Sequence, residues 1–195
     1  MIDEATTRRR RDTAVLLLPL LGLGAALALM AAGCGGKSAD QKALETYANS
    51  VCSEVATWQT QVKGIATDLS SGISQASLKS KVTQIETATK NLRTQINAVP
   101  PPNTEKGKAA KQQLDQLSTE LSTTSASVHA VVTGLKANAS ASTIAVSVIA
   151  LVPQVKSLAT SAQSTISTLQ SDKGDISSAF KSAESCKNLK SSSGG

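Results

Sequence analysis

The hydrophobic pattern of this chain changes character once. From Thr13 to Gly33 it is an uncharged, nearly unbroken apolar run that holds Pro19, Gly22 and Gly24. Beyond it, apolar residues recur with a period near 3.5. Leu44, Tyr47, Val51, Val55, Trp58, Val62, Ile65 and Leu69 form one stripe, which predicts a long helix from Asp40 to about Leu69. "SSGIS" at 70–74 breaks it. A second stripe is Leu78, Val82, Ile85, Ala88, Leu92, Ile96 and Val99, stopped by Pro100, Pro101 and Pro102. Asn103 or Thr104 can cap a third helix, with Ala110, Leu114, Leu117, Leu121, Thr124, Val128, Val131 and Leu135 as its stripe. After "KANASAS" a fourth stripe runs through Ile144, Val148, Leu151, Val155, Leu158, Ala162, Ile166 and Leu169. Pro153 lies inside it and should kink or break it. Gly174 ends that helix, and Asp175 can cap a short fifth one carrying Ile176, Phe180 and Ala183.

Four amphipathic stripes joined by short connections predict an all-α antiparallel four-helix bundle with a short C-terminal fifth helix. A single extended coiled coil fits less well, because the breaks are turn-like. Composition supports the helical reading. Tyr47, Trp58 and Phe180 are the only aromatic residues, fewer than a β-sandwich normally uses. The repeats are of pattern only, without internal duplication. The net charge of +6 is mild and dispersed, which argues against a nucleic-acid partner.

The N-terminus gives the apolar run a meaning. Arg8 to Arg11 precede it and small residues end it, the order of an export signal. Ala31-Ala32-Gly33-Cys34 resembles the lipobox of bacterial lipoproteins, with Ala31 where a larger apolar residue is usual. The resemblance implies that Cys34 is acylated and becomes the first residue of the mature chain. An uncleaved membrane helix is the alternative, since the run is long enough to span a bilayer. A twin-arginine signal lacks the hydrophobic residues expected just after the arginine pair. The expected layout is a signal peptide at 1–33, a lipidated tether at 34–39, a bundle at 40–190 and a flexible tail at 191–195. The expected location is the outer face of the bacterial cytoplasmic membrane.

Export places the body where disulfides persist, and Cys34 is taken by lipid. Cys52 and Cys186 are then expected to pair, tying the fifth helix to helix 1; two buried free thiols are the alternative. Helix 1 is longer than helix 2 and should overhang the bundle at its N-terminal end, near Cys52. A last segment running straight on from helix 4 would carry Cys186 away. A turn at Lys173-Gly174 is therefore expected, with the fifth helix folding back and Tyr47 and Phe180 packing beside the bridge. "YANSVCSEVATWQ" and "GDISSAFKSAESC" resemble the two ends of a family of small actinobacterial lipoproteins. In these a first-helix Cys is followed by a Trp, and a C-terminal "AF…C" element closes the fold. The resemblance implies no established activity.

Catalytic chemistry is not visible. His129, the single histidine, flanks the helix 3 stripe and reads as a surface residue. Asp115 and Glu120 lie off that stripe as solvated charge. No cluster has metal-ligand spacing, and serines without a base are not nucleophiles. No enzyme activity, metal or cofactor is expected beyond the covalent lipid on Cys34. The expected role is an anchored interaction or structural module with an envelope protein partner. The alternative is a carrier or sensor of a small apolar ligand between the helices, where Ala and Thr leave room. Up-down topology gathers Lys37, Lys42, Lys106, Lys108, Lys111, Lys187 and Lys190, together with Lys90 and Arg93, at the anchored end. Such a patch can add an electrostatic attraction to anionic lipid.

Overall fold

Each long helix begins on a hydroxyl. Ser38, Ser74, Thr104 and Ser140 each accept a hydrogen bond from the backbone N–H three residues on, at 3.0–3.2 Å. This satisfies one of the donors that a helix start leaves without a partner. At Ser38 the bond is reciprocated by Gln41, a capping box. The cap of the third helix is Thr104, not Asn103.

A computed structural model describes residues 37–71 and 74–191 of the 195-residue chain. The helices are α1 (Ala39–Ser70), α2 (Gln75–Ala98), α3 (Glu105–Thr133), α4 (Ala141–Ser171), α5 (Asp175–Ser182) and α6 (Glu184–Ser191). No strand occurs among the described residues. α1 packs on α2 and α4, and α3 packs on the same two, so the long helices form an antiparallel ring of four around one core. The described residues make up one compact unit. The signal peptide, Cys34 and residues 192–195 of the tail expected at 191–195 lie outside the described residues; Ser191 is the last residue of α6.

The apolar stripes fill the core as expected in α1 and α2. In α3 the pattern drifts. Ser125 and Val132 are buried where a strict heptad would place Thr124 and Val131. An ordinary straight helix drifts by about 20° per heptad against a 3.5 repeat, so two to three heptads on, the inward face has moved by about half the angle between neighbouring residues, enough to favour Ser125 and Val132. Pro153 does not break α4, which is continuous through it. It sits on the exposed side, so the carbonyl it leaves without an N–H partner faces water and not the core. Beyond α4, Gly174 adopts φ 95°, a left-handed conformation that turns the chain back. The expected fifth helix is in fact two, α5 and α6, separated at Ala183 by an extended backbone (φ −60°, ψ 125°).

α1 and α4 are staggered. Gln59 Nε2 donates to the Ala159 carbonyl at 3.0 Å, which sets them level at that point. Counting outward, α1 runs 20 residues to Ala39 while α4 runs 12 to Ser171. In the other direction α4 runs 18 residues to Ala141 while α1 runs only 11 to Ser70. Each helix therefore overhangs the other by roughly 10 Å at opposite ends. α5 and α6 cover the overhang of α1. At the other end Ile144, Val148 and Val152 of α4 are only partly buried, and Val146 and Ile149 are 66% and 72% exposed.

Candidate functional site at the disulfide pole

The covered overhang of α1 holds most of the residues singled out by sequence. Cys52 and Cys186 are fully buried and joined, with S–S 2.00 Å and Cα–Cα 5.0 Å. The chain folds back at Gly174 as the pairing required. Phe180, 0% exposed, meets Tyr47 edge to face with ring centroids 6.4 Å apart. Backbone groups in this corner are bonded by side chains. Gln170 Nε2 donates to the Phe180 carbonyl at 3.1 Å, and Ser177 Oγ to the Gln170 carbonyl at 2.6 Å. Asn49 Oδ1 accepts from the Ser185 backbone N–H at 3.2 Å, which holds the start of α6 on α1.

Two polar groups here are buried without a partner among the described residues, Tyr47 Oη and Gln170 Oε1; Gln113 Oε1 on α3 is a third. Burial pushes the Tyr47 phenol up to about 12, with a smaller push from the Asp115 carboxylate. Asp115 is thus close enough to act on the core, although it lies on the solvent side of α3.

The basic residues are placed less simply than topology alone suggests. Lys37 pairs with Glu45, Lys111 with Asp115, Lys108 with Glu105 at 3.2 Å and Lys187 with Glu184 at 3.5 Å. The Lys37 pairing holds the Glu45 carboxyl below the usual carboxylate range. Lys111 also donates to Asn97 Oδ1 at 3.1 Å, joining the start of α3 to the end of α2. Lys42 and Lys106 are exposed and have no ion pair among the described residues. The side chain of Lys190 lies outside the described residues. Arg93, and with it Lys90 one turn further from the Pro100–Pro102 turn, do not belong to this end. Arg93 donates from Nε to Ser118 Oγ at 2.9 Å and from Nη1 to Ser122 Oγ at 3.1 Å, roughly 20 Å along α3 from Glu105.

Other residues gain roles that the pattern did not disclose. Gly107, in the first turn of α3, lies under the Pro100–Pro102 turn; a Cβ there would come 2.3 Å from the Pro102 carbonyl oxygen. His129 is half-exposed, as a surface residue should be, but it meets Glu86 of α2 at 2.7 Å. Glu120 accepts from Ser161 of α4 at 2.7 Å. Trp58 Nε1 donates to Thr89 Oγ1 at 3.3 Å inside the core. A groove of about 620 Å³ opens between α1 and α4, on the flank of the bundle. Its floor is Val62, Ala66, Val155 and Ala159, and Lys63 and Lys156 stand on its banks. No group of three or more potential metal-ligating side chains occurs among the described residues.

No family model, curated protein or solved structure matches this chain.

Proposed function

We propose that this protein is a non-enzymatic helical interaction module of the cell envelope, held by a lipid on Cys34 at the outer face of a bacterial cytoplasmic membrane. The observation that carries the reading is the arrangement of Arg8–Arg11, the uncharged run to Gly33, and Cys34 after small residues. Two features of the body support it. A buried disulfide between Cys52 and Cys186 suits an exported protein. The first helix begins at Ala39, so a chain starting at Cys34 would keep all six helices. The tether from Cys34 to the cap at Ser38 spans at most about 14 Å, which holds the start of α1 near the lipid. Lys42 and Lys106 are then the residues best placed to meet anionic headgroups. The other described lysines of that end already have acidic neighbours, so the attraction is a modest supplement to the acyl chains.

The experiment is metabolic labelling with a palmitate analogue in a host that processes lipoproteins. Label on the wild type, and none on Cys34→Ala, supports the anchor. Label that persists in Cys34→Ala overturns it. A second reading, a carrier of a small ligand, is favoured by the groove between α1 and α4.

A further inference from the structure

We infer that a cleft between α2 and α3 binds the phosphate group of a small soluble molecule, held by Arg93, Lys90 and the hydroxyls between the two helices. The inference goes beyond the envelope-module reading, and the phosphate assignment depends neither on the anchor nor on the α1–α4 groove. Helix register makes the cleft. Glu86 Oε1 meets His129 Nδ1 at 2.7 Å, and Arg93 Nη1 meets Ser122 Oγ at 3.1 Å. These two rungs are seven residues apart on both helices, so α2 and α3 keep level between them, and Lys90 stands opposite Ser125. Ser125 and Ala126 are small, which leaves a hollow of about 310 Å³ in the interval. That is the low end of small-molecule sites, which run from roughly 300 to 1,000 Å³.

Lys90 and Arg93 lie one turn apart on the same side of α2, where like charges repel. Neither has an acidic partner among the described residues. Of the residues that line the cleft Glu86 alone is acidic; it is engaged by His129 and lies two turns from Arg93. An anion between the two cations relieves their repulsion. The hydroxyls point to the same chemistry. Ser118 and Ser122 accept from Arg93, and Thr89, buried at the floor, accepts the Trp58 indole N–H at 3.3 Å. A hydroxyl that accepts keeps its own O–H to donate. None of these three donates to another group among the described residues. The serines also fix the guanidinium, with Nε and Nη1 engaged and Nη2 left for a ligand. The cleft thus presents positive charge and hydrogen-bond donors together. A phosphate monoester carries close to two negative charges at neutral pH and three acceptor oxygens, which match both cations and the donors around them. Ser122 is about 25 Å along α3 from Glu105, at the pole where α1 begins, and this distance favours a soluble ligand over a lipid headgroup.

The test is calorimetric titration of the full chain in phosphatidylcholine nanodiscs with glycerol 3-phosphate, inorganic phosphate and acetate. The expected result is saturable binding of glycerol 3-phosphate, about tenfold or more tighter than acetate. Arg93→Gln and Lys90→Gln should each weaken it about tenfold. Arg93→Lys, which keeps the charge but not the fork, should weaken it less than Arg93→Gln. Lys136→Gln, which removes the same charge elsewhere, should leave it unchanged. The Lys90 ammonium has no bond among the described residues, so Lys90→Gln tests the site without disturbing the bundle, and its thermal melt should match wild type. Tighter binding of the ester than of inorganic phosphate supports an ester as the ligand, and the reverse supports free phosphate. Equal weakening by Lys136→Gln and Lys90→Gln would reduce the effect to net charge and overturn the site. Acetate binding as tightly as phosphate, or no binding by wild type, would also overturn it. Loss of binding when phosphatidylglycerol replaces phosphatidylcholine in the disc would make a lipid headgroup the occupant and overturn the soluble-ligand assignment.

Discussion

The two overhangs of the bundle are the same size and are treated in opposite ways. At one, α1 runs on past the end of α4, and the chain spends its last two helices, a disulfide and an aromatic pair on covering it. At the other, α4 runs on past the end of α1, and Val146 and Ile149 are left in solvent. Among the described residues α4 is also the one helix apolar and long enough to cross a membrane by composition, yet only 22% of its most apolar window is buried. An isolated exposed valine is ordinary. An apolar helix end left open in a chain that closes the equivalent end so thoroughly is a feature of this sequence, and it sets the two poles of the bundle apart.

The sharpest way to break the comparison is to open the closed end. Cys52→Ala/Cys186→Ala should lose up to about 5 kcal/mol, the chain-entropy contribution of a loop of 134 residues. The loss is read as a drop in the urea midpoint and in Tm; an unchanged midpoint would mean that α5 and α6 hold without the bridge. Next in size, Phe180→Ala should cost about 3–5 kcal/mol, whereas Ile149→Ala at the open end should stay within about 0.5 kcal/mol. Comparable losses at the two sites would erase the distinction.

Alkaline pH probes the closed end through Tyr47. The Tyr47 phenol is raised from 10.0 to about 12 in the folded state, so its contribution is fully present below pH 10 and is lost as pH rises toward 12. Wild type should lose up to roughly 2–3 kcal/mol across that window, and Tyr47→Phe should lack this component in pH-dependent urea melts. At neutral pH the same variant should be no less stable than wild type, because the hydroxyl it removes has no partner. Gly107→Ala tests the turn beneath α3: the new Cβ meets the Pro102 carbonyl and should cost about 1–3 kcal/mol. The smallest effect has the opposite sign. Gly64, mid-helix in α1, has nothing within 4 Å of its Cβ position, so Gly64→Ala should stabilise by up to about 1 kcal/mol.

The helices, their order and the fold-back were readable because each stripe is long, each connection is short, and the two body cysteines lie on segments that can meet only if the chain turns at Gly174. What was hidden depends on where helices sit along one another. The stagger of α1 and α4 is fixed by contacts such as Gln59 to Ala159, which no periodicity contains. That is why Val62 and Val155, 93 residues apart in sequence, did not look like the floor of one groove. The drift to Ser125 and Val132 in α3 follows from the difference between 3.5 and 3.6 residues per turn. Arg93 read as one more cation of the basic end, but its bonds to Ser118 and Ser122 place it away from that end. Gly107 stands outside the stripe that marks α3; its value lies in leaving room for Pro102.

Hydrogen exchange on the full chain in nanodiscs, with the disulfide intact and then reduced, tests the central contrast most directly. The account predicts that with the bridge intact the amides of α5, α6 and residues 44–55 of α1 are strongly protected, and those of residues 141–149 exchange fastest among the four long helices. Reduction should release the first group and leave the second unchanged. Equal protection at the two ends, or a loss on reduction spread evenly over all four long helices, would contradict it.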